Sequence, residues 1–554
     1  MNGTGSHPHN WVPAVEQPLF TRRRLRVVSI GAGFANLIFA YKIMYELKAE
    51  DWIDHIIYEK NHDVGGTWLE NRYPGVACDV PAHVYTFPFE PNPEWTQFYA
   101  SGPEIWEYIR KTTTKWNLDK NVKLNSRIIS SVWNEATARW DLKIETNDGI
   151  ISDSCDILVN GSGILNHWKW PDIPGLRAFK GHLVHTAAWK GDYDYTGKRV
   201  AVIGNGSSAI QVVPKLQKLV SHLTNLIRSP TWVSPNMNTK FTRGGNGKNF
   251  FYTEEEKKKF REDPEALKQY RKTIESSFNH FFWSLILNSK EQEELQSASK
   301  MLMEEALQHD PELIARFMPE WKVGCRRLTP GEDYLESLQE SNVATTFTPI
   351  DHIIETGLVL RDGTILEVDA IVCATGFDVS FAPRWEVKGR RGRDLSELWR
   401  DSPEAYMGIC APDIPNYFIF NGPNCPIGHG SVLAELEFAA DYMLHWIHKI
   451  STEDIKCVSV KHEAVSDYNV YTQEFLKRTV WTTGCRSWYK NGQVEGKITA
   501  LYAGSILHYG EMLQDLRAEH FDIEYNSKNR FSFMGNGLTI RETTGGDMAF
   551  YMYN

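Results

Sequence analysis

A chain of 554 residues, 42% hydrophobic and 23% charged, is long enough for two or three domains with cores of their own and has the composition of a soluble globular protein. Its formal net charge of -10 argues against nucleic acid as the main partner, and no run approaches the ~20 apolar residues of a membrane span, so stable membrane anchoring is not expected. Nineteen Trp and an aromatic share of 12% suit large flat ligands or apolar pockets, although core packing also accounts for them. Met1 to Gln17 is polar with prolines and lacks the apolar core of a secretory signal, and Tyr551 to Asn554 carries no targeting or lipidation signal. The eight cysteines, at 78, 155, 325, 373, 410, 425, 457 and 485, contain no CxxC pair and no ligand-like cluster. They predict a cytoplasmic, reducing-compartment protein without a metal site. No feature points to an oligomeric state.

The basic patch Arg22 to Arg26 reads as a solvated lead-in to a buried strand, Leu25 to Ile30. Gly31-Ala32-Gly33-Phe34-Ala35-Asn36 then turns that strand into a helix running to about Leu47. In such a strand–turn–helix, Gly31 and Gly33 let the backbone tighten and a pyrophosphate approach the helix N-terminus, where free N–H groups and the dipole favour an anion. The third small position holds Asn36 instead, which is expected to weaken helix–strand packing without touching the phosphate contact. The next strand, His55 to Tyr58, ends at Glu59, an acid placed to accept ribose hydroxyls, or else a strand-end surface charge.

Gly65 to Tyr85 follows, with glycines that permit close backbone approach to a planar ligand and with Trp68, Tyr73 and Pro74 as a rigid apolar wall. Asp79 lies inside this run, and a carboxylate in such surroundings needs a partner. A second fingerprint, Val200-Ala201-Val202-Ile203-Gly204-Asn205-Gly206-Ser207-Ser208-Ala209-Ile210-Gln211, has all three small positions and continues as an amphipathic helix through Leu219. Its next strand ends in Arg228-Ser229, a cation and a hydroxyl where an NAD site would hold an acid, which favours the 2′-phosphate of NADPH; an ordinary exposed arginine is the alternative. Apolar strand-plus-glycine segments at 157–163 and 370–378 flank this second unit and read as crossings between two domains. Tyr252 to Phe317 has helical spacing and reads as an inserted lid or domain face.

With these motifs in this order, the chain resembles the Baeyer–Villiger monooxygenases, the class B flavoprotein monooxygenases. Their Phe-x-Gly-x-x-x-His-x-x-x-Trp fingerprint appears as Phe179, Gly181, His185 and Trp189, departing only at Lys190. A second family pattern is met by Gly66, Trp68, Tyr73, Pro74, Gly75 and Asp79. The resemblance covers about Arg26 to Ala503 and implies an α/β fold of two dinucleotide-binding, Rossmann-like domains, the NADP domain inserted in the FAD domain and carrying a helical insertion. It implies a flexible extension at 1–24, an FAD-binding part at 25–165, an NADP-binding domain at 166–374 with its insertion at about 240–318, and a second FAD part with a mobile loop region at 375–554.

By the same resemblance, Glu59, Thr67, Trp68, Leu69, Glu70, Asp79 and Tyr85 surround FAD. Ala77, Cys78 and Asp79, with Asn205, Gly206, Ser207, Ser208, Ala209, Ile210, Gln211, Arg228 and Ser229, surround NADP. The family's active-site arginine falls on Arg327, the partner Asp79 requires, with Arg326 as a neighbouring cation for the nicotinamide nucleotide and Trp488 on the loop that folds over it. His185 resembles a linker residue, with packing between domains as its plainer role. His429, in the loop that walls the substrate pocket in relatives, either touches substrate or packs that loop.

The implied reaction inserts one atom of O2 beside the carbonyl of a small-molecule ketone, giving an ester or lactone through a C4a-peroxyflavin. A fixed guanidinium keeps that peroxide anionic and stabilises the charge on the adduct. The alternatives are a heteroatom-oxidising flavin monooxygenase acting on amines or sulfides, a flavin disulfide reductase, against which the missing CxxC argues, and an inactive nucleotide-binding redox protein.

Overall fold

The computed structural model describes residues 7–552. Leu25–Ile30, with Arg26 its one partly exposed residue, is the middle strand of a five-stranded parallel sheet. The order is Tyr417–Ile419, Ile157–Asn160, Leu25–Ile30, Ile53–Tyr58 and Val122–Lys123. Near-continuous apolar strands of this kind need cover on both faces. On one face the helices Phe34–Tyr41 and Val432–Thr452 pack against each other. Lys42 pins that contact, its buried ammonium lying 2.7 Å from Glu437 and 2.8 Å from Asp441 of the longer helix. Phe39 is fully buried, edge-on to His55 and Phe420, and its burial alone contributes about 2–3 kcal/mol.

A second five-stranded parallel sheet lies, in sequence, between the segments that build the first. Its order is Val343–Thr346, His222–Leu226, Arg199–Ile203, Ala370–Cys373 and His182–His185. The fold is therefore α/β with two Rossmann-type units, one interrupting the other. Between Val233–Ser234 and Thr329–Pro330 the chain inserts the helices Glu254–Glu262, Pro264–His280, Lys290–Ala306 and Pro311–Phe317, in the region that reads as helical from spacing. A four-stranded sheet, in the order Glu386–Lys388, Arg127–Asn134, Arg139–Thr146 and Gly149–Cys155, adds a further layer beside the first unit. Among the described residues no helix is long and apolar enough to cross a membrane.

Three expectations change. The extension at 1–24 is not free over its second half: Gln17 O accepts from Asn536 N at 2.9 Å, Leu19 N donates to Leu538 O at 2.7 Å, and Arg23 donates to Ile455 O at 2.8 Å. Residues 1–6, like Tyr553 and Asn554 of the C-terminal reading, lie outside the described residues.

Asn36 does not loosen the first turn. Its buried Nδ2 donates to Ile30 O at 2.9 Å and Gly31 O at 2.8 Å, and a Cβ on Gly161 would stand 2.4 Å from it. The amide thus ties strand, turn and neighbouring strand together. Asn36→Ala should lower stability by about 1–2 kcal/mol, read as a fall in Tm; an unchanged Tm would remove this role.

The cysteines also depart from expectation. Cys325 and Cys485 form a disulfide across a sequence separation of 160, while the other six are free and buried. Spacing rules detect only near neighbours, so a pair so far apart left no signal, and the reading of a reducing compartment loses its basis.

Candidate active site

Both fingerprint turns carry a backbone that only glycine adopts without strain. Gly31 has φ +93°, and a Cβ there would lie 3.0 Å from Gly161 O; Gly204 has φ +118°, and a Cβ would lie 2.5 Å from Ala374 O. Each turn brings bare backbone and a helix N-terminus to the C-terminal edge of its sheet, where an open α/β sheet binds its ligand.

At the first turn opens a cleft of about 730 Å³ lined by Gly31, Gly33, Glu59, Thr67, Trp68, Glu70, Ala77, Cys78, Asp79 and Tyr85. The buried carboxylate of Glu59 accepts from Ala32 N at 2.6 Å and from Asn61 N at 2.8 Å. Burial pushes its pKa above the usual carboxylate range, partly offset by those two donors. Glu70 is held by Lys60 at 2.9 Å, Asn61 at 2.8 Å and Asn166 at 2.6 Å, and the Trp68 indole donates to Tyr85 Oη at 3.2 Å. The Leu69 side chain is buried behind this wall and does not line the cleft, so this residue can meet a nucleotide only through backbone. The cleft also takes side chains that no motif marked, including Ser126 and Ile128 at the start of the strand Arg127–Asn134 and Val432, Leu433 and Leu436 from the long helix.

The second turn meets the first unit through Gln211. Tyr73 Oη donates to its Oε1 at 2.8 Å, and its Nε2 donates to Ala77 O at 3.0 Å. Gly75, at φ +85°, passes so near that a Cβ would sit 2.6 Å from Gln211 O. Of this turn only Ser207 and Gln211 line the cleft. Asn205, Gly206 and Ser208 do not, and Ala209 and Ile210 are buried in the core, so these two can meet a nucleotide only through backbone. Asn205 Nδ2 donates to Ser229 O at 2.8 Å, tying the turn to the strand end that carries the exposed Arg228.

Arg327 and Asp79 meet. Nη2 of Arg327 lies 2.7 Å from both carboxylate oxygens, although 248 positions separate the two residues. The Asp79 charge, with the Tyr489 phenol nearby, holds the Arg327 pKa above even its ordinary value, so the guanidinium is charged at every working pH. Arg327 lines the large cleft and also a smaller, mostly apolar pocket formed by Val80, Phe278, Phe281, Leu285, Ile427 and Trp481. Tyr489 closes that pocket; it is buried, and its phenol is pushed up to about 12. Only its position beside Trp488 could have drawn notice to it.

His429 lines the same pocket, but its ring is engaged. Nε2 donates to Asn279 O at 3.0 Å, Nδ1 lies 3.4 Å from Ile506 N, and burial lowers its pKa to about 4. It fastens the 424–430 loop to the helical insertion. His185 stacks on Trp168 with ring centroids 4.6 Å apart and has Nε2 3.2 Å from Thr375 Oγ1, at the joint between the units; burial brings it to about 4 as well. Trp189 stacks on Tyr195, and Lys190 beside it is exposed.

Arg326 is the neighbouring cation. Its guanidinium lies over the Trp321 ring at 4.7 Å, Nη2 is 3.3 Å from Ser229 Oγ, and Nε is buried without a partner. Burial, then Arg228 and Arg486, lower its pKa to about 10. An orphaned donor on an unpaired cation beside a serine hydroxyl fits a phosphate. The glycine turn and cleft of the first unit fit a flavin dinucleotide equally well.

The sequence model of the flavin-binding monooxygenase-like family matches residues 24–307. The chain is 49% identical over 98% of its length to the FAD-binding monooxygenase tazF of Aspergillus terreus, covering 97% of that protein. It is 34% identical over 90% of its length to a Baeyer-Villiger monooxygenase of Pseudomonas aeruginosa, covering 92% of it. Among solved structures, cyclohexanone monooxygenase from Rhodococcus sp. Phi1 bound to NADP+ superposes with a TM-score of 0.76 at 25% identity, over 91% of this chain and all of the other.

Proposed function

The chain belongs to the Baeyer–Villiger monooxygenase family of flavin-binding monooxygenases, and on that premise we propose that this FAD- and NADPH-dependent enzyme converts an apolar ketone into an ester or lactone. The balance is ketone, O2, NADPH and a proton going to ester, NADP+ and water. When bound, FAD would supply the redox chemistry that activates O2, with NADPH as the source of the two electrons.

The residues of the chain do the rest. The first glycine turn, Glu59 and Glu70 would hold the dinucleotide, while Ser207, Gln211, Arg228, Ser229 and Arg326 would hold NADPH, with Trp488 at the mouth of the cleft. The observation that carries the reading is the position of Arg327, on the wall shared by the cleft and the apolar pocket. A ketone lodged among Phe278, Phe281 and Trp481 meets there a permanent cation, which favours the anionic form of the attacking oxygen and stabilises negative charge developing on the carbonyl oxygen. Asp79 orients that cation and offsets the cost of its desolvation, leaving the pocket-facing part of the guanidinium free. Aromatic walls exclude water from the reacting atoms.

Incubation of the holoenzyme with NADPH and O2, with cyclohexanone in one vessel and thioanisole in another, separates ketone from heteroatom chemistry. Lactone in the first, by product mass, is the expected result. Sulfoxide alone, with no ester from any member of a wider ketone panel, would replace this reading with heteroatom oxidation.

A further inference from the structure

The disulfide has a consequence for the residues that follow it. Cys325 precedes Arg326, and Cys485 precedes Arg486; the bond holds the two cysteine Cα atoms 6.2 Å apart. Arg228 adjoins Ser229, whose hydroxyl lies 3.3 Å from Arg326. Three guanidiniums from three distant parts of the chain, a strand end, the segment before Arg327 and the 483–497 loop, are thereby brought to one place. Among the described residues none of the three has a carboxylate within 4 Å. Arg228 and Arg486 both act on Arg326 as repelling charges.

Like charges gathered without counter-charges destabilise a fold unless a polyanion offsets them. The other nearby cation, Lys490, is engaged: its Nζ donates to Thr483 O at 2.9 Å and to Val494 O. Arg486, by contrast, is exposed, with Nη1 donating to Gly492 O at 3.1 Å as its one hydrogen bond. Buried Nε of Arg326 has none.

We propose that Arg486 is a third guanidinium for the 2′-phosphate of NADPH, carried by the same loop as Trp488 and held in place by the Cys325–Cys485 bond. This rests on the reading of the second unit as the NADP site. The loop is then drawn over the nucleotide by the one group that distinguishes NADPH from NADH, and closure and cofactor choice become the same event. A dianionic phosphate accepts charge-assisted hydrogen bonds from several guanidiniums at once, which Arg326 and Arg228 alone do not exhaust.

The test titrates the FAD-loaded enzyme with NADP+, NAD+ and 2′,5′-ADP by calorimetry. Arg486→Gln should weaken NADP+ and 2′,5′-ADP about tenfold and leave NAD+ unchanged, with flavin content as the check on folding. Cys485→Ala, which keeps Arg486 but frees the loop, should weaken NADP+ in the same selective way by less. Alkylation of denatured wild type, without reductant, should label six of the eight cysteines. Equal losses for NADP+ and NAD+, no loss in Arg486→Gln, or eight labelled cysteines would overturn the proposal. Arg228→Gln separates the premises: if it loses NADP+ selectivity while Arg486→Gln does not, only the role of Arg486 fails; if neither loses it, the NADP reading of the second unit fails too.

Discussion

Arg327→Ala should still bind FAD and still be reduced by NADPH, yet form at least ~10²-fold less oxygenated product, its electrons appearing as hydrogen peroxide. The guanidinium spends its hydrogen bonds on Asp79 and makes none to Gly31, Glu59 or the second glycine turn, so nucleotide binding and hydride transfer are expected to survive its loss. Oxygen insertion does, because Arg327 is the cation at the wall between the cleft and the apolar pocket. Removing one preorganised donor from a developing oxyanion costs about 10²–10³ in rate, and here a full charge is lost with it. Alanine also leaves Asp79 among apolar neighbours without its partner.

Arg327→Lys distinguishes charge from geometry. An ammonium restores the cation but cannot sit with one nitrogen on Asp79 and the rest of a planar fork toward the pocket, so it should recover part of the product yield. Anaerobic flavin reduction, product by mass and peroxide release measure the three quantities separately. Normal product from Arg327→Ala would remove the residue from the reaction.

Glu59→Ala should fail earlier, at retention of the flavin. The carboxylate does two jobs in the apoprotein alone, accepting from Ala32 N at 2.6 Å and from Asn61 N at 2.8 Å, and so ties the dinucleotide turn to the end of the next strand. Deleting it orphans the buried N–H of Ala32, at about 1–3 kcal/mol, and that of half-buried Asn61 at a smaller cost. It also removes the acid placed for ribose hydroxyls. FAD affinity should fall about 10²-fold, read as a low ratio of flavin to protein absorbance after purification and by fluorescence titration. A variant that keeps FAD at wild-type stoichiometry would remove Glu59 from cofactor binding. The two variants fail at opposite ends of the cycle, which keeps their readouts independent.

Much of this architecture was legible before folding. The strand Leu25–Ile30, the turn after it and the second strand–turn–helix follow from short-range patterns, since parallel strands buried on both faces must be apolar throughout and a phosphate turn must be small. The need of Asp79 for a cation also follows from its neighbours in sequence. What escaped has one character. The seat of Asn36 on Ile30 and Gly31 depends on a side-chain amide finding carbonyls that periodicity does not describe. The engagement of His429 with Asn279, the burial of Leu69 behind its wall, and the contribution of Ser126 and Leu436 to the cleft all depend on which elements end up adjacent.

By itself the sequence determined the two nucleotide units, their order, the family, and the residue types available for redox chemistry, because each is written in segments of about ten to twenty residues whose spacing reflects a single turn or strand. Only the tertiary structure decided which atoms meet. It put one nitrogen of Arg327, the partner expected for Asp79, on both carboxylate oxygens and its guanidinium on the wall of an apolar pocket, clamped Gln211 to Tyr73 and Ala77, and bonded Cys325 to Cys485 so that three arginines converge. Those contacts arise from packing two sheets and an inserted helical layer against one another, and the free energy of such packing belongs to pairs of surfaces, which no local stretch of chain encodes.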